Sequence, residues 1–202
     1  METKVTDTQQ KRAGRNKALF SIHRLVFMGV MVSLSIVFGK YLAFNVGGVI
    51  RFSLENLPIL FTGIALGPLS GCAVGLVADF VGCLMVGYEI NPFVLIASGL
   101  IGLISGLCYK GISSKLLLLN IGLPVFVAHF IGSVVVKTYG LAEFYLTTQN
   151  IGFFTLMGYR AINYLIVGIV ELILIYILMK SKGVNAQISK LKGKGKRKEE
   201  NK

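Results

Sequence analysis

Residues 51–92 read RFSLENLPILFTGIALGPLSGCAVGLVADFVGCLMVGYEINP, and the fold turns on this stretch. Two apolar runs flank the pair Gly67-Pro68. Glycine ends a helix readily and proline opens the next one at its first position, so the pair predicts a hairpin of two helices. Polar residues gather at the open ends of that hairpin: Arg51, Glu55 and Asn56 at one, Tyr88, Glu89 and Asn91 at the other. A hairpin returns its ends to the same side. Six polar side chains are thereby delivered to one side of an otherwise apolar layer. That asymmetry is the pattern of a binding site facing one aqueous compartment.

The rest of the chain supplies more apolar layer. Its 202 residues are 54% hydrophobic and 15% charged, with mean hydropathy +0.72. A soluble domain has about 45–50% apolar and about 25% charged residues. The excess lies in long runs, which points to a single membrane domain. The runs predict spans at Ile22–Phe44, Leu54–Leu66, Ser70–Val86, Pro92–Tyr109, Leu116–Val136 and Phe154–Met179. The second is short for a bilayer that takes about 20 helical residues, so it must be buried among its neighbours or lengthened by flanking turns. Strands of a membrane barrel would be about 10 residues long and alternate in polarity. These runs do neither. The expected fold is an all-α membrane protein of six transmembrane helices, or five if the short run does not cross. Pro124 is a possible kink in the fifth.

Charge sets the orientation. The net charge of +12 is carried almost wholly by the tails. Residues 1–24 hold six Lys or Arg against two acids, and residues 180–202 hold nine against two. Basic flanks beside apolar spans mark the cytoplasmic side. The expected organisation is a basic cytoplasmic tail over 1–20, the membrane domain over 21–180, and a second basic tail over 181–202. Lys110 and Lys115 then fall in an inner loop, in keeping with the same rule. Residues 45–53, 87–91 and 137–153 face outward, and the last, as the longest connection, is placed to act as a lid. The tails fit membrane lipid head groups. Nucleic acid is not an expected partner, because no soluble module adjoins the basic arms. A cleavable signal peptide is not expected either, since the first run is too long for one and follows about twenty mostly polar residues.

Catalytic and metal signatures are missing from the sequence. It has no Walker lysine motif, no G-x-S-x-G turn and no HExxH. Cys72, Cys83 and Cys108 stand inside apolar runs with no CxxC or Cys/His spacing, so no metal and no cofactor are expected. The chain has 24 glycines. Gly63, Gly67, Gly71 and Gly75 repeat every fourth residue, Gly102 and Gly106 share that spacing, and Gly29 and Ser33 repeat it on span 1. Small residues at this interval let helices approach closely.

Ionisable groups inside the apolar layer are costly and tend to face a cavity or a partner. His23 and Lys40 lie near the ends of span 1, within reach of head groups. Asp79, His129 and Arg160 lie deeper, in the outer half or near mid-depth, and Glu171 lies nearer the cytoplasm. Arg160, Asn163 and Tyr164 are spaced i, i+3 and i+4 and share a helix face. Arginine offers a fork for carboxylates, asparagine both donors and acceptors, and tyrosine a ring to stack on. The set suits a flat, anionic, heteroaromatic ligand. The competing reading is an ion pair of Arg160 with Asp79 or Glu55 that only locks the bundle.

The sequence resembles the substrate-binding S components of energy-coupling factor (ECF) vitamin transporters, most closely their folate group. The likeness covers roughly residues 20–180. It is carried by RFSLENLPILFTGIALGPLSG at 51–71, ADFVGCLMVGYEINP at 78–92 and YRAINY at 159–164. The resemblance implies a six-helix subunit that binds folate from outside. Its implied partners are a membrane scaffold subunit and two cytoplasmic ATPases, which supply the energy. It would topple in the bilayer to release its ligand inside. In the family, small residues on helix 1, commonly Ala-x-x-x-Ala, contact the scaffold; Gly29 and Ser33 stand at the matching positions. Arg51, Glu55, Asp79, Tyr88, Asn91, His129, Arg160, Asn163 and Tyr164 are the expected substrate-binding residues. Other readings are an S component for a queuosine precursor, pantothenate or thiamin, a small lipid-modifying membrane enzyme, or an interaction protein without a ligand.

Overall fold

A computed structural model describes residues 22–46, 50–111, 116–142 and 152–192. The expected tail over 1–20, Lys115, Glu143 with most of the expected lid, and the end of the second tail lie outside the described residues. The first helix, α1 (Ile22–Ile36), widens into a π-helical turn over Val37–Tyr41. A short antiparallel pair follows, β1 (Phe44–Val46) and β2 (Ile50–Phe52), with Asn45 opposite Arg51. Then come α2 (Asn56–Leu66), α3 (Pro68–Val86) and α4 (Pro92–Gly111). The fifth helix, α5 (Leu117–Ala128), runs on through a π-helical stretch at His129–Val136 and ends at Ala142. The last two are α6 (Phe153–Lys180) and α7 (Lys182–Leu191). Following the charge rule, the end carrying Tyr41, Glu55 and Asn91 is called outer.

Among the described residues, five helices are long and apolar enough to cross a membrane: Ile22–Tyr41, Pro68–Val86, Pro92–Gly111, Leu117–Ala142 and Phe153–Lys180. A sixth apolar helix, α2, is shorter and lies wholly inside the bundle. All its residues are buried, and α1, α3 and α4 pack around it. Its last carbonyl, on Leu66, accepts from Arg24 Nη2, which also donates to Ser70 Oγ at 3.1 Å. A helix end inside an apolar layer needs such a partner. Arg24, counted in the basic tail by sequence, is therefore a buried part of the bundle.

The hairpin at Gly67-Pro68 forms as expected. Gly67 has φ +102°, a conformation other residues adopt only with strain, and Pro68 opens α3. The glycine repeat then lets three helices touch backbone to backbone. A Cβ on Gly102 would lie 2.1 Å from the Gly71 carbonyl oxygen, one on Gly75 2.1 Å from that of Ser98, and one on Gly63 2.4 Å from that of Gly102. The α2–α3–α4 slab admits no side chain there.

Two elements depart from the expectation. Residues 45–53 were expected to be an outer connection and Phe44 the end of span 1, but Phe44–Val46 and Ile50–Phe52 form the β pair; the Phe44 and Phe52 rings stack at 5.8 Å across it. Residues 182–191, expected in a basic tail, form α7. Its apolar side, with Ile188 buried, joins the core while Lys182 and Lys190 stay exposed.

Candidate functional site

The outer half of the bundle brings several ionisable groups together. Glu55 precedes α2 and lies against α1, where Ser35 Oγ donates to its backbone carbonyl at 2.6 Å. Gly39 leaves room for its side chain: an added Cβ would meet Glu55 Cβ and Oε2 at 2.9 Å. The Glu55 carboxylate accepts from Lys137 Nζ at 2.9 Å. Lys137 is buried near the outer end of α5 and lies within electrostatic reach of Tyr164 and Asp79. Glu55, Asp79, Lys40, Ser35 and Ser98 line a small cleft of about 10 Å³, room for about one water.

Lys40 was expected among head groups. Instead it is half-buried in this cleft because Gly82 on α3 leaves space for its stem; a Cβ there would meet Lys40 Cε at 2.9 Å. Its ammonium lies 5.2 Å from the centre of the Tyr88 ring. Tyr88 itself is exposed at the rim.

A second group stands between α5 and α6. The His129 ring is buried and stacks on Tyr164 at 5.3 Å. His129 Nε2 lies 2.5 Å from Glu171 Oε2, and Nδ1 lies 3.2 Å from Ser133 Oγ. An imidazole donating Nε2–H to the carboxylate and accepting the Ser133 hydroxyl at Nδ1 fits this geometry. Glu171, expected nearer the cytoplasm and apart from the site, is thus tied to His129. Arg160 Nη2 donates to the Ser133 carbonyl and to Tyr164 Oη, each at 3.4 Å, and its guanidinium carbon lies 5.5 Å from the Tyr164 ring centre. The anticipated pairs Arg160–Asp79 and Arg160–Glu55 are not among the described ion pairs; Glu55 takes Lys137 instead.

The remaining expected residues fall in three ways. Asn163 is buried on the inward face of α6. Asn91 caps α4: Oδ1 accepts from Phe93 N at 3.0 Å and Val94 N at 3.4 Å, while Nδ2 donates to the Gly140 carbonyl at 2.6 Å. Both ends of its amide are engaged, so it fixes the corner where α4 meets α5. Arg51 lies on β2, which packs against α6, but its side chain is outside the described set. Sequence reading missed Lys137, Lys40 and Ser133 as site neighbours. The only signal was a lysine at the end of an apolar run, which a head group explains equally well.

Gly29 and Ser33 are exposed on α1, and a Cβ on Gly29 would meet nothing within 4 Å. No group of His, Cys, Asp and Glu among the described residues could hold a metal ion.

A sequence model of the ECF transporter substrate-specific component family matches residues 23–180. The chain belongs to that family. This S component is therefore a multi-pass membrane protein and the substrate-binding subunit of a vitamin transporter, a class that works with a scaffold and an ATPase module. Curated protein sequences hold no match to it. Solved structures similar to the S component include FolT bound with folic acid, at 21% identity over 78% of this chain and 93% of that one, with TM-score 0.62. The S component of a bacterial ECF transporter is similar at 18% identity, 77% and 95% coverage and TM-score 0.56. ThiT from Listeria monocytogenes is similar at 15% identity, 82% and 96% coverage and TM-score 0.60. At these identities the likeness is one of fold.

Proposed function

We propose that this S component captures folate at the outer face of a bacterial plasma membrane and delivers it to a scaffold and two ATPases. One observation carries the reading. Arg160, Tyr164 and His129 stand together at the α5–α6 seam, in the half of the bundle that also holds Glu55, Lys137 and Asp79. A cationic fork, a stacking ring and hydrogen-bonding groups in an apolar wall suit a flat ligand with an acidic end. The fold likeness to FolT bound with folic acid supports the same choice. Arg160, with Arg51 at the rim, would meet the acidic end. Tyr164 and Tyr88 would stack on the rings, and Asn163 and His129 would hydrogen-bond the pterin edge. Glu55 and Asp79 would hold Lys137 and Lys40 in place, and Asn91 would keep the corner in shape.

The likeness to ThiT is nearly as high in TM-score. The test therefore uses a panel: folate, thiamin, pantothenate and a queuosine precursor, titrated calorimetrically into purified protein. Folate is expected to bind best, near nanomolar, about −12 kcal/mol. Arg160→Ala is expected to weaken it by about 100-fold, the loss of a charge-assisted pair. A different best ligand would change the vitamin and leave capture intact. Unchanged binding in Arg160→Ala would remove the α6 site.

A further inference from the structure

Buried polar atoms in folded proteins nearly always have a partner, because a dry, unbonded amide or hydroxyl is costly. Asn56 breaks that rule twice. Its side chain is fully buried, and neither Nδ2 nor Oδ1 has a hydrogen-bond partner among the described residues. Thr138 Oγ1, also fully buried, has none either. Other buried hydroxyls solve the problem locally. Thr62 and Ser98 donate to the carbonyl four residues earlier, and Ser105 to the one three residues earlier. Thr138 sits on a helix that offers the same exit and does not take it.

Asn56 and Thr138, two of the described buried residues with such atoms, belong to one place. Asn56 follows Glu55 and Thr138 follows Lys137, and the Glu55–Lys137 contact at 2.9 Å pins those positions to one level of the bundle. Arg160 Nε, buried and without an acceptor, belongs to the side chain that reaches Ser133, one turn from Lys137. Asn56, Thr138 and Arg160 thus bring donors and acceptors without partners among the described residues to the neighbourhood of the Glu55–Lys137 contact.

We infer that Asn56 and Thr138 are specificity-determining residues of the ligand site. They read a neutral ligand edge that carries a donor next to an acceptor, as in a lactam or carboxamide. The inference rests on the capture reading above and adds the chemistry of one ligand edge. A carboxamide is completed by a cis-amide edge through two hydrogen bonds, one each way. A carboxylate would satisfy Nδ2 but set its oxygen against Oδ1. Lys137 cannot attract an anion to this level, because Glu55 already neutralises it. A neutral edge of the ligand, rather than its acidic end, therefore suits Asn56. A pterin presents such an edge at its lactam.

Asn56→Leu and Thr138→Val keep size and remove the polar atoms. Both are made in the full-length protein and read in two ways, by thermal melting without ligand and by calorimetry with folate. Removing an unsatisfied buried group should leave the melting temperature unchanged or higher, while folate affinity falls by at least about tenfold in each variant. A lower melting temperature in both variants means that the two residues serve the fold, and overturns the inference. Affinity within about twofold of the parent protein in both also overturns it, and leaves folate capture standing. If the parent protein binds none of the panel, the capture reading fails, and this inference fails with it. Thr138→Val, the milder change, decides the matter if Asn56→Leu does not fold.

Discussion

At the scale of single residues, the outer half is held by charges whose partners lie far apart in sequence. Glu55 and Lys137 are 82 residues apart, and Lys137 is almost fully buried while Glu55 keeps 21% of its side chain exposed. The pair stabilises only as a pair. Lys137→Met should destabilise by about 3 kcal/mol, since it removes the buried cation from which the Glu55 carboxylate accepts. Adding Glu55→Gln should recover much of that loss, because the double variant carries neither charge of the pair. Thermal melts of the two single variants and the double variant in detergent check this. Losses that simply add would show that the contact carries no coupling energy. Sequence could nominate Glu55 but not its partner. Lys137 stands where an apolar run gives way to an outer connection, the usual place for a solvated lysine. Only the continuation of α5 to Ala142 brings it inside.

At the scale of elements, legibility followed how local the cause was. The Gly67-Pro68 hairpin and the span pattern were readable because run length, glycine and proline act within a few residues. The close α2–α3–α4 packing was readable too, since the four-residue glycine spacing is itself the cause. Gly102→Ala should cost at least about 1–3 kcal/mol, for its Cβ would lie 2.1 Å from a backbone oxygen that cannot move aside. Gly29→Ala, with nothing within 4 Å, should be neutral or slightly stabilising through helix propensity. A melting temperature for Gly102→Ala equal to that of Gly29→Ala would refute the backbone contact. The π-helical stretches at Val37–Tyr41 and His129–Val136 were not legible. No residue type specifies them, yet Lys40 lies in one and Lys137 directly follows the other. Each adds a residue to the local turn and so changes which side chains face inward. That is why both lysines were assigned to head groups or loops. The β pair and α7 escaped for a related reason: each is short and takes its stability from the surface it packs on.

At the scale of the whole molecule, the same small residues serve two ends, and the structure separates them. Gly63, Gly71, Gly75, Gly102 and Gly106 face backbone inside the bundle, whereas Gly29 faces open space. Ser33, one turn on, is exposed and donates to the Gly29 carbonyl at 3.1 Å, so its hydroxyl asks nothing of a neighbour. A strip on α1 that is small, flat and internally satisfied is cheap to press against another helix, since no side-chain rotamers are frozen and no polar group is stranded. The bundle gains nothing from it. We propose that a partner covers it, and for an S component the scaffold is the partner the family supplies. Ligand capture and docking should therefore come apart. Gly29→Phe with Ser33→Phe should abolish co-purification with the scaffold and ATPases while leaving ligand affinity within about twofold, because α1 meets the ligand half at Ser35–Lys40 and not at this strip. Arg160→Ala should do the reverse, losing ligand and keeping the complex. A double-Phe variant that still assembles would move the docking surface off α1. One that loses ligand as well would mean that the strip supports the fold and the partition between the two faces is wrong.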